Sequence, residues 1–202
     1  METKTDAIGV IVLAAGASRR MGRPKQLLQW KHTTLLGHSI DEALQLTKDV
    51  VVVLGANFEQ IKKQIKNKPV GIVQNKAWQD GMGTSIALGI SELMNKKAYT
   101  GILIMLADQP LLDAFFLKKI VGSFYERNVK IAATDYGHGK GVPAIFHQSL
   151  FKELRKLNQD FGARKLMKGY RSEIVGVAAN SKAADIDTQE DYDNLIKENS
   201  PK

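Results

Sequence analysis

The run Ile8-Gly9-Val10-Ile11-Val12-Leu13 has no polar side chain, and it breaks at once into Ala14-Ala15-Gly16-Ala17-Ser18, where little covers the backbone. A short apolar run of this kind suits a strand buried on both faces, as in a parallel sheet with helices on each side. The chain then changes character. Arg19, Arg20, Arg23 and Lys25 follow closely, so exposed N–H groups and cations that match anionic oxygens come together after the strand. A polyphosphate cradle is one use of such a loop, and a solvated basic turn is the other.

The strand-to-loop-to-helix order recurs along the chain. Thr34 is placed to cap a helix through Leu36, Ile40, Ala43 and Leu44. Asp49 to Leu54 is a β-branched run ending at Gly55; a helix then starts near Asn57, which stands in capping-box spacing to Gln60, with Phe58, Ile61 and Ile65 on one side. Val70 to Val73 reads as a short strand, residues 75–85 as a second glycine-bearing loop, and Ile86 to Met94 as a helix. Gly101 to Leu106 is the most apolar strand. It ends at Ala107-Asp108-Gln109-Pro110, before a helix capped by Asp113 that carries Phe116, Ile120 and Phe124. Residues 131–134, 144–146 and 174–177 read as further strands, with a glycine loop at 136–143 and short helices over 150–157 and 162–167. A closing helix runs through Tyr192, Leu195 and Ile196, and the tail 199–202 is expected to fray.

This alternation predicts a single α/β domain over residues 1–202, its sheet mostly parallel with helices on both faces. Ligands in such sheets bind beyond the carboxyl ends of the strands. The loops at 14–25, 75–85, 107–110 and 135–143 all follow strands, so they are expected to meet at one edge.

Composition narrows the partners. Among 202 residues, 29 basic against 21 acidic side chains give a net charge of +8, which favours anionic ligands. Neither a recognition-helix signature nor an aromatic and basic ladder is present, so nucleic acid is not an expected partner. The absence of cysteine excludes disulfides, thiolate nucleophiles and thiolate metal sites. No segment approaches the ~18 apolar residues of a membrane span, and residues 1–6 do not open a signal peptide. A soluble cytoplasmic protein with no membrane partner is expected.

Two carboxylates stand out. Asp108 lies at a strand end, where it can share Mg²⁺ with a triphosphate or cap the turn before Pro110. Asp187 can be a second carboxylate or, with Glu190, a helix cap; if Thr188 caps instead, Asp187 is free, and Asp185 ranks below both. The histidines form no nucleophile triad: His32, His38 and His147 read as surface or packing residues, and His138 in the glycine loop stays open. The first loop is neither a Walker P-loop, lacking G-K-[ST], nor the dinucleotide fingerprint.

From Leu13 to Leu28 the chain resembles the signature L-A-A-G-x-S-x-R-M-G-x-P-K-x-L-L of the nucleotidyltransferases acting on the molybdenum cofactor, the MobA-like NTP transferases. The resemblance extends through Gly81-Met82-Gly83-Thr84-Ser85, Ala107 to Pro110, Gly141 to Phe146, Gly162-Ala163-Arg164 and Asp185 to Thr188, and departs where Gln189 stands for a common proline. Ala15 and Pro24 are similar to the cytidylyltransferase branch. The resemblance implies a three-layer Rossmann-like fold of the nucleotide-diphospho-sugar transferase kind. It further implies transfer of CMP from CTP to the phosphate of a molybdopterin-type cofactor, with Mg²⁺ as cofactor, pyrophosphate as product and a molybdenum hydroxylase as recipient. Leu13, Ala14, Ala15, Gly16, Ser18, Gly81 and Ser85 would then hold the nucleotide, Arg20 would grip the triphosphate and Lys25 would bridge nucleotide and acceptor. Asp108 would complete the catalytic set with Arg20 and Lys25, Asp108 and Asp187 would hold the metal, and Gly141, Pro143, Gly162 and Arg164 would form the acceptor site. The alternatives are GTP, another phosphate acceptor such as a sugar or polyol phosphate, or a non-catalytic nucleotide-binding accessory protein.

Overall fold

The first apolar run forms β1 (Ile8–Ala14), buried along its whole length, in a computed structural model that describes residues 8–158, 162–182 and 184–199. Residues 1–6 and the end of the tail, 200–202, lie outside the described residues. After β1 come a hairpin of β2 (Gln29–Trp30) and β3 (Thr33–Thr34), then α1 (Leu35–Leu44), β4 (Val50–Leu54), α2 (Phe58–Ile65) and β5 (Gly71–Gln74). The middle of the chain supplies α3 (Met82–Met94), β6 (Gly101–Leu106), α4 (Ala114–Arg127), β7 (Ile131–Asp135) and β8 (Lys140–His147). It closes with α5 (Phe151–Leu154), α6 (Gly162–Gly169), β9 (Ile174–Ala178) and α7 (Gln189–Asn199).

Seven strands make one sheet in the order β5-β4-β1-β6-β8-β7-β9. Pairing is parallel except for β8, which runs antiparallel to both β6 and β7. Its reversal brings the start of β8 to the edge where the other strands end. Strand alternation sorts the core into two layers. Val10, Val12, Val52 and Leu103 face the side covered by Leu36 and Ile40 of α1, Ile61 of α2 and Ile120 of α4. Ile11, Leu13, Val53 and Ile104 face Ile86 and Ile90 of α3, Leu154 of α5 and Met167 of α6. A third cluster joins Met21, Leu28, Trp30 and Leu35 to Ile186 and Leu195, so α7 packs on the segment after β1. Among the described residues no helix is long and apolar enough to cross a membrane.

Thr34 and Asp113 cap their helices as expected, accepting from the Gly37 and Phe116 amides. Several boundaries differ. Asn57 adopts a left-handed conformation, φ 55°, and its side chain makes no cap bond, so it forms no capping box. Gly81, φ 114°, turns the chain early, so α3 starts at Met82 and absorbs the end of the expected second loop. The expected glycine loop at 136–143 is also shorter, because β8 starts at Lys140. Pro143 cannot donate to a ladder, but the β7–β8 register shifts between Ala133 and Thr134, leaving Val142 and Pro143 bulged, and Thr134 Oγ1 donates to the Pro143 carbonyl at 2.8 Å. The β2–β3 hairpin was not foreshadowed by any turn dipeptide, and the helix expected over 150–157 contracts to α5.

Gly55 marks a close approach between the first two strand-end loops. A Cβ there would lie 2.6 Å from the Ala15 carbonyl oxygen and 2.6 Å from Trp78 Cβ. Gly55→Ala is therefore expected to destabilise by about 1–3 kcal/mol, lowering Tm by about 2–4 °C for each kcal/mol in a chain of this size. Gly122→Ala is the control. It lies inside α4 with its nearest neighbour atom at 3.9 Å, and should be neutral or stabilising by up to about 1 kcal/mol; thermal denaturation of both variants decides.

Candidate functional site

The small-residue loop after β1 is held by side chains of its own segment. Gln26 is buried, and its Nε2 donates to the carbonyls of Ala14 at 3.1 Å and Gly16 at 2.8 Å. Ser18, in a left-handed conformation with φ 53°, donates its hydroxyl to Gln26 Oε1 at 3.3 Å and accepts from the Lys25 amide at 3.1 Å. Met21 and Leu28 anchor the far side of the loop in the third apolar cluster. The loop is thus built around Gln26, with Lys25 beside it and turned the other way.

Lys25 meets two carboxylates that are distant from it in sequence, Asp108 and Asp187. Its ammonium donates to Asp108 Oδ2 at 2.6 Å, Asp187 Oδ1 at 2.9 Å and the Ile186 carbonyl at 2.9 Å. Asp187 Oδ2 accepts from Arg20 at 2.9 Å. Asp187 is free to do so because Thr188 and Asp191 cap α7: Thr188 Oγ1 accepts from the Asp191 amide at 3.2 Å, and Asp191 Oδ2 accepts from the amides of Thr188 at 2.7 Å and Asp187 at 3.1 Å. Burial opposes charge on Lys25, but Asp108 and Asp187 outweigh it and hold the ammonium above its usual pKa. The hydrogen bond from Lys25, against partial desolvation, holds the Asp187 carboxyl below the usual carboxylate value. Asp108 Oδ1 is buried with no hydrogen-bond partner among the described residues.

A cavity of about 500 Å³ opens over this cluster. Leu13, Ala14, Ala15, Gly16, Lys25, Gly81, Ser85, Asp108 and Asp187 all border it. Two of the expected nucleotide residues do not. Ser18 is spent on Gln26 and the Lys25 amide, and Arg20 points to Asp187 with 68% of its side chain exposed, while Arg19 lines the cavity instead. The Ser85 hydroxyl is buried and accepts from Asn75 Nδ2 at 2.8 Å. Asn75 also donates to Thr84 Oγ1 and accepts from the Ala77 amide, so it organises the second loop as Gln26 organises the first.

A neighbouring cavity of about 640 Å³ shares Met82 and Leu106 with the first. Gly141, Gly162 and Arg164 border it, and so do His138 and Asp185. Pro143 does not: it is buried in the β8 bulge, and Val142 takes its place at the cavity. Gln109, a buried residue, donates through Nε2 to Tyr136 Oη at 2.8 Å and Asp185 Oδ1 at 2.7 Å, and the Tyr136 hydroxyl donates to the Val142 carbonyl. Desolvation raises the Asp185 pKa above the usual value despite the bond from Gln109, and the charges of Asp108 and Asp187 push it the same way. Gln26, Asn75 and Gln109 are the positions sequence reasoning passed over. Their only signal is a polar side chain beside a strand end, which many surface residues share. His38 is a packing residue, buried with Nε2 3.0 Å from the Pro110 carbonyl oxygen.

Residues 10–175 match the family model described as the MobA-like NTP transferase domain. The chain is 28% identical over 207 residues to the nicotine blue oxidoreductase of Paenarthrobacter nicotinovorans, covering 96% of this chain and 99% of that one. It is 31% identical to the purine catabolism protein PucB of Bacillus subtilis, with 92% and 94% covered. With the molybdenum cofactor cytidylyltransferase of Escherichia coli it shares 29% identity over 115 residues, or 56% of this chain and 58% of that one. The crystal structure of Rv0371c from Mycobacterium tuberculosis is similar at a TM-score of 0.82 and 30% identity, covering 95% and 98% of the two chains. The same protein in complex with manganese gives a TM-score of 0.73 at 27% identity over the same shares.

The shifted groups set a pH window for the Lys25 cluster. Asp187 titrates below the usual 3.8, so its contribution is present above that value and is lost as pH falls through the lowered pKa. Lys25 titrates above the usual 10.5, so its contribution is present below that value and is lost as pH rises through the raised pKa. The stability difference between wild type and Lys25→Met, measured by urea unfolding, is expected to be flat from about pH 5 to about pH 9 and to shrink at both extremes.

Proposed function

The chain belongs to the MobA-like NTP transferase family, and on that premise we propose that it moves CMP from CTP to the phosphate of a molybdopterin-type molybdenum cofactor, releasing pyrophosphate, in maturation of a molybdenum hydroxylase. One observation carries the reading: Lys25, Asp108 and Asp187 converge beneath a cavity walled by the bare loop Ala14 to Gly16. The Escherichia coli relative, named a molybdenum cofactor cytidylyltransferase, supports the base and the acceptor, as do Ala15 and Pro24.

In the proposed reaction an oxygen of the acceptor phosphate attacks the α-phosphorus of CTP. The bond from that phosphorus to the bridging oxygen breaks, and pyrophosphate leaves with the electron pair. The attacking phosphate is already anionic, so no side-chain nucleophile is needed, and positioning and charge stabilisation do the work. Gly16 and its neighbours let the triphosphate approach the backbone, and Arg19 and Arg20 offset its charge from the rim. Lys25 has three donors, all engaged in the free protein, so it reaches a phosphate by releasing one of its present acceptors. Gly141, Gly162 and Arg164 would hold the acceptor in the adjoining cavity.

The residues fit a divalent cation. Two carboxylates already converge on one positive centre, and Asp108 Oδ1 is buried without a partner. Among the described residues no three histidine or carboxylate side chains gather into a metal site, so Asp108 and Asp187 would hold Mg²⁺ with phosphate oxygens and water as its other ligands. Such an ion supplies charge neutralisation on the phosphate oxygens. The manganese complex of the Mycobacterium tuberculosis protein supports a divalent cation in this fold.

A second reading is favoured by the full-length match to a protein named an oxidoreductase. Pyrophosphate release from CTP, GTP, ATP and UTP, with and without the cofactor and Mg²⁺, separates the two. CTP-selective, cofactor-dependent release supports nucleotidyl transfer; no release from any triphosphate removes that reading and leaves the second. Lys25→Ala is expected to lose about 100-fold or more in turnover while remaining folded. Gly16→Ala tests the loop separately. A Cβ at Gly16 meets no atom within 4 Å in the free protein, so thermal stability should hold while CTP affinity falls about tenfold; unchanged affinity would move the triphosphate away from this loop.

A further inference from the structure

Beyond the acceptor cavity lies a second hollow of about 490 Å³ whose charged lining is all basic. His138 reaches it from the β7–β8 turn, Lys140 from the start of β8, Arg164 and Lys168 from α6, and Arg171 from the turn after α6. His138, Arg164, Met167 and Lys168 border both hollows, so the two form one trough.

One carboxylate, Asp185, borders the acceptor side of this trough; the basic hollow itself is lined by none. Arg164 and Lys168 stand four residues apart on α6, the spacing at which like charges face each other and repel. Of the acids on neighbouring elements, Glu173 pairs with Lys130, Glu153 accepts from the Tyr170 hydroxyl, and Asp135 stands opposite Lys140 on β7, its Oδ1 accepting from the Gly137 amide. Among the described residues, none of Lys140, Arg164, Lys168 and Arg171 takes part in a salt bridge. The Lys140 stem is also not free to swing away. It lies against the β9 backbone, with Cε 2.9 Å from where a Cβ on Gly176 would stand. Four cations set around a concave hollow of small-molecule size, none of them held in a salt bridge, are arranged to receive an anion.

We propose that this hollow is a second anion subsite, which binds an oxyanion group carried by the acceptor molecule at a distance from the phosphate that receives the nucleotide. The inference rests on the nucleotidyl-transfer reading for the identity of the acceptor, and on the charge geometry alone for the site. It selects among acceptor classes. A sugar or polyol monophosphate, neutral beyond its reacting phosphate, leaves these cations uncompensated; a molecule anionic at both ends fills the trough. Arginine and lysine together suit the task, the forks of Arg164 and Arg171 for planar oxyanions and the ammonium groups as point charges.

Inorganic phosphate is the probe for the site. It is titrated by calorimetry and amide NMR into protein already saturated with CTP and Mg²⁺, so that the first cavity is filled. The proteins are wild type, the double variant Lys140→Gln/Arg171→Gln, and a control, Lys62→Gln/Lys63→Gln, which removes the same charge from α2. Wild type and control are expected to bind one phosphate, with amide shifts at Lys168 and Arg171, and the trough variant about tenfold more weakly. With the molybdopterin-type cofactor as acceptor, the same variant is expected to show an acceptor KM raised about tenfold and an unchanged CTP affinity. Equal phosphate binding by all three proteins, or an equal loss in the control, overturns the subsite. If the trough variant loses phosphate but no protein turns over the acceptor, the subsite is supported and the nucleotidyl-transfer reading fails.

Discussion

A single ammonium group ties together three segments that are far apart in sequence. Lys25 comes from the loop after β1, Asp108 from the end of β6, and Asp187 from the segment leading into α7. Burial makes this convergence costly unless each charge is paired, so the three segments must arrive together. Coulomb attraction alone would not place them, because the Arg20–Asp187 contact is solvent-exposed and worth at most about 1 kcal/mol. The apolar cluster of Met21, Leu28 and Trp30 with Ile186 and Leu195 supplies the remainder: it docks α7 on the first loop and carries Asp187 to the site.

The fold gives these charges somewhere to act. Parallel strands end at one edge, and the antiparallel β8 starts there, so loops from β1, β5, β6 and β7 surround two adjoining cavities. One is walled by bare backbone and the Lys25 cluster. The other is walled by the Gln109, Tyr136 and Asp185 network and opens onto the basic trough. The two cavities meet at Met82 and Leu106.

What could be read from the sequence was what local rules control. The apolar runs gave the strands, Thr34 and Asp113 gave their caps, and Asp108 was found at its strand end because a carboxylate there stands out. The reading of Asp187 stayed open between cap and free carboxylate until Asp191 was seen to answer Thr188, a bond between neighbours that sequence spacing alone leaves unranked. Long-range geometry was beyond reach. The β8 bulge that removes Pro143 from the cavity depends on register against β7, and the exchange of Arg20 for Arg19 at the cavity wall depends on where Asp187 comes to rest. Gln26 and Asn75 shape the two loops at the first cavity through bonds to backbone carbonyls, amides and hydroxyls, and glutamine and asparagine carry no pattern that sets such positions apart.

If Asp108 and Asp187 are the cation site, Lys25 holds the place of the metal in the free protein, and removing its charge must expose that site. Manganese binding followed by electron paramagnetic resonance, without nucleotide, measures this directly in wild type and Lys25→Met. The account predicts affinity about tenfold tighter in the variant, with the gain abolished by adding Asp108→Asn. Equal affinity in wild type and Lys25→Met would contradict it.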